Sequence, residues 1–293
     1  MENKYYLPAT MGETLEKCYK PYHRAHRFPA NLRLLLHKHV PIEVIANESK
    51  DDQDSSKKDK EKNPKTEWLR DIAAYYKADE PLVNAARDRW QRYVHASGAA
   101  SVTMAVDWRM VVGLGGNSVF ETDMTLHSLY GLPIIPGSAL KGLARAWVAY
   151  EKDDKTQVLG PGGRSMMLDE RIFGNKPKAD FQYEGSVIFF DAILMNHNFQ
   201  LTLDIMNPHY WRYYTKKDTL PSNDQKPKPI PFLTVSGARF LCAIGSADET
   251  YASDAQIALQ WLEEALINYG IGSKTSAGYG YMKKEEGEKQ GEK

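Results

Sequence analysis

The chain has 293 residues, 42% of them hydrophobic, so it is long and apolar enough to bury a core without disulfides. Lysine plus arginine and aspartate plus glutamate both total 38, and this zero formal charge excludes a general electrostatic attraction to nucleic acid. No apolar run approaches the roughly 20 residues that cross a bilayer. Two distant cysteines and no signal-peptide pattern favour the cytoplasm without membrane association.

The amino-terminal segment is basic and aromatic. No acidic residue lies between Lys17 and His39, where cations and histidines alternate with aromatic residues. This composition is typical of contact with RNA, and equally of a protein–protein interface. The possible metal ligands are Cys18, His23, His26, His37 and His39. Their spacing matches no standard zinc site, so we predict no metal.

Helical patterns and one charged segment occupy the first hundred residues. Residues of about 48–66 contain no apolar residue except Pro64, which predicts a disordered insertion. Apolar spacing predicts helices over 32–40, 68–76 and 82–94. Residues 1–98 are therefore predicted to be a helical amino-terminal extension.

After the predicted helices, the spacing of apolar residues changes from helical to alternating. Apolar and polar residues alternate over 101–112, which predicts a long strand buried on one face. The glycine-rich residues 113–118 lack the third glycine and the following helix of a dinucleotide fingerprint. A Rossmann site is therefore excluded.

Residues 126–145 are the first candidate binding site. A proline-punctuated hairpin leads into a helix, with Ser138 as the predicted N-cap. Lys141 and Arg145 lie one turn apart near the helix start. Free N–H groups with two nearby cations indicate an anion site. A capped amphipathic helix whose cations are merely solvated is the alternative.

Two apolar segments after this helix predict a hairpin. They cover residues 185–194 and 199–205, with turn-forming residues at 196–198 between them. A further strand is predicted over 232–244.

Residues 207–231 are predicted to be a projecting loop. Aromatic residues lie beside cations in this segment, so it could stack on RNA bases, or its aromatics could attach it to the core. The candidate contact residues are Tyr210, Trp211, Arg212, Lys216 and Lys217.

The last predicted helix leads into a glycine-rich loop. Ser253 and Gln256 indicate a capping box at its start, and Gly270 is expected to end it. The loop combines glycines with a cation and a flat ring, which predicts backbone N–H groups close to a bound partner. Its candidate residues are Gly270, Gly272, Lys274, Gly278, Tyr279 and Gly280. Because Walker A spacing is absent, no nucleotide triphosphate site is expected.

The order of these elements is that of an α+β, ferredoxin-like (RRM-like) fold with additions. The sequence resembles the RAMP superfamily of CRISPR proteins, and within it the sixth-subunit family of the type III-B Cmr effector complex. The motifs that carry this resemblance are residues 113–115, 126–145, 171–174, 190–192, 204–210, 229–235 and 270–281. The resemblance implies a RAMP domain over 99–283, after the helical extension and before a charged tail over 284–293.

The resemblance also implies a function. A member of this family would be a non-catalytic, RNA-binding subunit of an antiviral ribonucleoprotein, without a cofactor, and would hold CRISPR RNA towards its 3′ end. Target RNA is a further candidate partner, and the implied protein partners are the backbone RAMP, the neighbouring 3′-end RAMP and the small helical subunit. Lys141 and Arg145 correspond to the family's basic helix, and residues 270–280 to its glycine-rich loop. Residues 207–231 correspond to the thumb of the backbone subunits.

The alternative function is a metal-free endoribonuclease that processes CRISPR RNA. Some RAMP relatives cleave RNA by acid–base chemistry, for which a histidine with a basic or tyrosine partner suffices. His127, Tyr130 and Lys141 could take these roles, although a lone histidine in an apolar hairpin is more often structural. Asp191 and Asp204 have no evident local partner for metal-dependent cleavage.

Overall fold

The computed structural model describes residues 31–46, 63–152, 156–174, 183–214, 220–221 and 229–285. The possible metal ligands at 18, 23 and 26, most of the charged insertion, Lys216 and Lys217 lie outside these residues.

The helices and strands are numbered in chain order. The helices are α1 (Leu32–His37), α2 (Ile42–Ala46), α3 (Pro64–Tyr75), α4 (Glu80–Ala96), α5 (Gly137–Trp147), α6 (Leu168–Phe173), α7 (Trp211–Tyr214) and α8 (Ala252–Asn268). The strands are β1 (Ala100–Val106), β2 (Ile134–Ile135), β3 (Gln157–Leu159), β4 (Ser165–Met167), β5 (Val187–Phe189), β6 (Ala192–Leu194), β7 (Gln200–Met206), β8 (Ile230–Ser236), β9 (Arg239–Ser246) and β10 (Met282–Lys284).

The predicted helices form with small changes at their ends. Asn31 caps α1 and Asn63 caps α3, since each side-chain oxygen accepts hydrogen bonds from the first turn. The first helix ends at His37 and not near residue 40, and the first three residues of α3, 64–66, fall in the predicted insertion. None of the helices in the described ranges is long and apolar enough to cross a bilayer.

The chain divides into two compact units, and each is described by itself. The first comprises Met1–Ala78, Gly113–Leu132 and Gln200–Val235, and the second comprises Asp79–Val112, Pro133–Phe199 and Ser236–Lys293. Helix α4, which the sequence assigned to the amino-terminal extension, falls in the second unit. The domain boundaries at residues 98 and 283 stay predictions.

In the first unit, α3 packs against β7, and β7 pairs with β8. The buried residues Leu36, Leu69, Phe120 and Leu233 line one small pocket. The buried Thr122 hydroxyl donates to the carbonyl of Pro231 at 3.0 Å, so a polar side chain joins two segments of this core.

The second unit is built on an antiparallel sheet whose strands differ in length. Its strand order is β10-β1-β9-β6-β2, and β5 also pairs with β9. Helix α8 packs against β1, β9 and β10 and against α5. On the other face, Val94 of α4 packs on Leu241 and Ala243 of β9. Helices therefore cover both faces of the central strand β9.

One predicted strand pairing and one predicted continuous strand are wrong. The segment 185–194 forms two short strands that both pair with β9, and β7 pairs with β8, so the predicted hairpin with 199–205 does not form. The strand predicted over 232–244 is likewise divided into β8 and β9, because Gly237 adopts a positive φ of 63° between them. Local alternation predicted that these segments are extended, but it did not identify their partners.

A β-bulge separates β5 from β6. Phe189 lies opposite Ile244, and Ile193 lies opposite Leu241. The two positions are four residues apart on the β5–β6 segment but only three residues apart on β9. One residue of the bulged strand is therefore extra, which bends the strand and redirects a side chain. Asp191, which lies in this bulge, leaves the strand ladder and reaches the start of α5.

The long strand predicted over 101–112 ends at Val106. Beyond it, Asp107 N–H donates to Tyr281 O at 2.9 Å, and Arg109 O accepts from Gly280 N–H at 2.7 Å. Val111 O then accepts from Ser273 N–H at 2.8 Å. Alternate residues of 107–111 thus bind the glycine-rich loop instead of a continuing strand.

Candidate nucleic-acid interface

The start of α5 is capped differently from the prediction. Ser138 is not the N-cap: Pro136 holds that position, and Asp191 Oδ1 accepts the Gly137 N–H at 2.8 Å. The N–H groups of Ala139 and Leu140 both donate to Pro136 O. Because a carboxylate and a carbonyl already occupy these first-turn donors, phosphate binding here has to depend mainly on side-chain cations.

Lys141 and Arg145 form a pair of like charges on one flank of α5. Burial lowers the pKa of Lys141, and the neighbouring Arg145 guanidinium lowers it further, while Glu184 raises it. Arg145 Nη2 donates to the carbonyl of Gly174 at 3.4 Å. A partly buried lysine beside an arginine is a local excess of positive charge, which a bound anion would stabilise.

The two glycines of α5 differ in how closely they are packed. A Cβ atom at Gly137 would lie 2.1 Å from Phe189 O, whereas one at Gly142 would meet nothing within 4 Å. We therefore expect Gly137→Ala to destabilise the protein by about 1–3 kcal/mol through overpacking. Gly142→Ala, in the same helix, should stabilise it by about 0.5–1 kcal/mol. Urea denaturation of both variants measures this, and a stabilising Gly137→Ala would contradict the described contact with β5.

The glycine-rich loop begins as predicted. Gly270 ends α8 with a φ of 71°, and its N–H donates to Ala265 O. Gly272 and Gly280 also have positive φ, and a Cβ atom on them would meet the carbonyl oxygens of Val111 at 2.3 Å and Ile271 at 1.9 Å. These glycines therefore permit the chain to approach itself closely.

The N–H groups of the loop largely bind within the protein. Gly280 N–H donates to Arg109 O, Gly278 N–H to Thr275 O, and Tyr279 N–H to Lys274 O. The loop is thus not an open row of donors, and its side chains have to supply any contact with RNA. Lys274 adopts a left-handed backbone with a φ of 63°, and a Cβ atom on Gly278 would meet nothing within 4 Å.

The cations of α5 and the start of the glycine-rich loop lie on different flanks of this helix. Trp147 in its last turn packs edge-on against Tyr269, the residue before Gly270, at 5.1 Å. Trp147 Nε1 also donates to Glu264 of α8 at 3.0 Å. Lys141 lies about 120° around the helix from Trp147. A single groove lined by both groups of residues stays a prediction.

The described residues of the predicted thumb lie in the first unit. Tyr210 precedes the short helix α7, whose backbone includes Trp211 and Arg212. Tyr213 and Tyr214, in the same helix, are exposed and lie with ring centroids 5.9 Å apart. Contact of this segment with RNA stays a prediction.

The side chain of His127 accepts hydrogen bonds from the turn that follows it. Its Nδ1 accepts from the N–H groups of Leu129 at 3.2 Å and Tyr130 at 3.3 Å. Its ring stacks on Tyr130, with centroids 4.3 Å apart. These contacts give the histidine a structural role. The third residue of the alternative catalytic set, Lys141, belongs to the second unit.

His37 and His39 are the two possible metal ligands that the structure describes. His37 Nε2 lies 3.2 Å from Asp123 Oδ1, and burial lowers the pKa of His39. Within the described part of the chain, no cluster of three or more potential metal ligands occurs.

Sequence reasoning missed Trp108 and Arg109. Alternation assigned Trp108 to the buried face of a strand, but it lies beyond the end of β1 and is 50% exposed. Its ring contacts Tyr279 of the loop, with centroids 5.1 Å apart. A tryptophan beside a basic residue near the end of a strand was the available signal.

The motif at 171–174 is structural. Arg171 makes a salt bridge with Asp254, which is fully buried at the start of α8. Phe173 stacks between Phe189 and Trp261. At Gly174 the φ is 85°, and a Cβ atom would lie 2.8 Å from Tyr183 O. These contacts explain why this residue sequence suits the fold without requiring contact with RNA.

Comparison with known proteins assigns the family. The RAMP superfamily matches residues 107–283, and the chain belongs to this superfamily. It is 36% identical over 222 residues to CRISPR system Cmr subunit Cmr6 of Pyrococcus furiosus, with 59% of this chain and 64% of that protein covered. It is 29% identical over 178 residues to CRISPR system CMR subunit Cmr6 of Saccharolobus solfataricus, with 58% and 52% covered. The chain thus spans between half and two thirds of these relatives.

A solved structure supports the fold. One chain of the cryo-EM structure of the Type III-B Cmr-beta bound to cognate target RNA aligns with a TM-score of 0.58 and 22% identity. The alignment covers 76% of this chain and 71% of that chain. The predicted α+β RAMP fold is confirmed, and the observed antiparallel sheet with packed helices is compatible with a ferredoxin-like arrangement.

Proposed function

We propose that this chain is an RNA-binding, non-catalytic subunit of a cytoplasmic type III-B Cmr effector complex. It holds the CRISPR RNA towards its 3′ end and contacts the backbone RAMP, the neighbouring 3′-end RAMP and the small helical subunit. Membership of the RAMP superfamily and the names of its Cmr6 relatives support this proposal.

The observation that carries the proposal is the like-charge pair Lys141–Arg145. Lys141 and Arg145 lie one turn apart on α5. Burial and the Arg145 charge lower the pKa of Lys141, while Glu184 raises it, and an added anion would stabilise the charged lysine. Phosphates along an RNA backbone have this charge, and they are recognised independently of base identity. The role is therefore positioning of RNA and not reading of its sequence.

A non-catalytic role is supported by the surroundings of His127. A general base needs a free nitrogen within reach of the proton that it removes. The Nδ1 atom of His127 already accepts from two backbone N–H groups, so this atom serves the turn.

We expect Lys141→Ala with Arg145→Ala to weaken binding to unrelated single-stranded RNAs by similar factors. Each lost phosphate contact should reduce the slope of log affinity against log salt by about 0.7, or about 1.4 for both. Fluorescence anisotropy with end-labelled RNA at several salt concentrations measures the slope. Arg70→Ala is the matched control, because Arg70 is an exposed arginine paired with Glu67 in the first unit.

Two results would overturn the proposal. A loss of affinity confined to one RNA sequence would indicate base recognition in place of phosphate contact. Cleavage products on denaturing gels that disappear in His127→Ala would instead support the metal-free endoribonuclease.

A further inference from the structure

A half-exposed tryptophan lies beside the glycine-rich loop. Trp108 follows β1 in the second unit and is 50% exposed, although burial of a tryptophan side chain normally contributes strongly to stability. Trp261 of the same unit is only 6% exposed. An exposed indole therefore needs an explanation other than core packing.

Two side chains hold the indole in place. The Tyr279 ring lies 5.1 Å away with an interplanar angle of 47°, and Tyr279 itself is buried. The Arg109 guanidinium carbon lies 4.9 Å from the indole centroid, within the range of a cation–π contact. The indole is thus supported by the loop while half of the residue remains in solvent.

The backbone under Trp108 is fixed by hydrogen bonds on both sides. Asp107 N–H donates to Tyr281 O at 2.9 Å, and Gly280 N–H donates to Arg109 O at 2.7 Å. Both bonds join the segment to the loop that carries Tyr279. Because the protein itself supplies these hydrogen bonds, little ordering would be needed when a flat group binds to the indole.

Cationic side chains and one carboxylate lie near Trp108. Arg109 lies over the ring, and Lys283 Nζ lies 3.4 Å from Asp107 Oδ1, with both side chains exposed. Asp107 therefore has a cationic partner in Lys283, and the Arg109 guanidinium lies at the ring. A flat ring beside a guanidinium matches a base followed by a phosphate.

We infer that Trp108 is a stacking surface for one unpaired base of the bound RNA, and that Arg109 contacts an adjacent phosphate. The inference rests on the proposed RNA-binding function and adds to it a residue outside α5. Stacking on an aromatic ring tolerates any base, since every base has a π-face. The site therefore takes single-stranded RNA of any sequence.

The test uses the full chain and short oligouridylates with one central 2-aminopurine. Oligouridylate stacks weakly on itself, so a fall in 2-aminopurine fluorescence on binding reports stacking on the protein. Trp108→Ala should weaken binding by about 5- to 150-fold and abolish the quenching, with the salt slope unchanged. Trp108→Phe should retain quenching and most of the affinity. Tyr93→Ala is the matched control, because Tyr93 is also 50% exposed but packs on Trp90 and Phe190.

The other outcomes separate this inference from the proposed function. If wild-type protein binds RNA and Trp108→Ala binds and quenches equally, the stacking role is overturned and the proposed function stands. If wild-type protein binds no RNA even at low salt, both fall. If Trp108→Ala leaves RNA binding intact but prevents co-purification with the other Cmr subunits, Trp108 belongs to a protein interface. Should Trp108→Ala fail to fold, Trp108→Leu takes its place, and quenching that is retained in Trp108→Leu would overturn the inference.

Discussion

Asp254→Ala is expected to lower the free energy of unfolding by about 3–5 kcal/mol, because it removes one partner of a buried ion pair. Asp254 is 0% exposed in the first turn of α8. Its carboxylate accepts from Arg171 at 2.7 and 2.9 Å and from the Ser186 hydroxyl at 2.7 Å. Without it, the largely buried Arg171 guanidinium would keep only the carbonyl of Leu159 as a described acceptor.

Chemical denaturation followed by circular dichroism measures this change. Glu67→Ala is the matched control: it also removes a carboxylate paired with arginine, but at the surface, where such pairs contribute about 0–1 kcal/mol. The double variant Arg171→Met with Asp254→Leu should lose less stability than Asp254→Ala, because it leaves no unpaired charge. Equal losses in Asp254→Ala and Glu67→Ala would contradict the buried ion pair.

Helices were the most predictable part of this fold. In α4 and α8, apolar residues recur at helical spacing, and a glycine follows the end of α8, so local sequence was sufficient. The predicted capping box of α8 was wrong: Tyr251 is the N-cap, and Ser253 lies within the helix. A short 3-10 helix, which Asp248 caps, precedes α8 and moves its start.

Strand partners were not predictable from local sequence. Alternation identified 185–194 and 199–205 as extended, and the intervening residues suited a turn. However, β6 pairs with β9, more than forty residues later, and with β2. Asn196 in that supposed turn instead accepts from Arg239 N–H and donates to Gly237 O. Its side chain thus connects the end of β6 to the start of β9.

The candidate site was predicted in part. The spacing of Lys141 and Arg145 on one helix face followed from helical periodicity alone. The carboxylate that caps this helix could not be predicted, because Asp191 is 54 residues away and reaches Gly137 through a bulge. Trp108 was assigned to the buried face because alternation continues past Val106, although the hydrogen bonds there go to the loop and not to a strand.

Gly280→Ala should destabilise the protein by about 2–5 kcal/mol and weaken RNA binding, whereas Gly278→Ala should cost about 1–2 kcal/mol. Both glycines have left-handed backbones, with φ of 77° and 89°, so alanine is strained at either position. Only at Gly280 would the new Cβ atom also meet a backbone atom, Ile271 O, at 1.9 Å. The difference in the free energy of unfolding between the two variants therefore measures the close approach of Gly280 to Ile271 O alone.

The clash at Gly280 acts directly on the stacking surface. Gly280 N–H donates to Arg109 O, and Tyr279 supports Trp108, so a displaced loop would move both neighbours of the indole. Denaturation curves give the stability difference, and 2-aminopurine quenching gives the effect on stacking in the folded fraction. Gly278→Ala, with nothing within 4 Å of its added atom, should retain the quenching. Equal stability of the two variants would contradict the described packing, and normal quenching by Gly280→Ala would show that the indole does not depend on the loop.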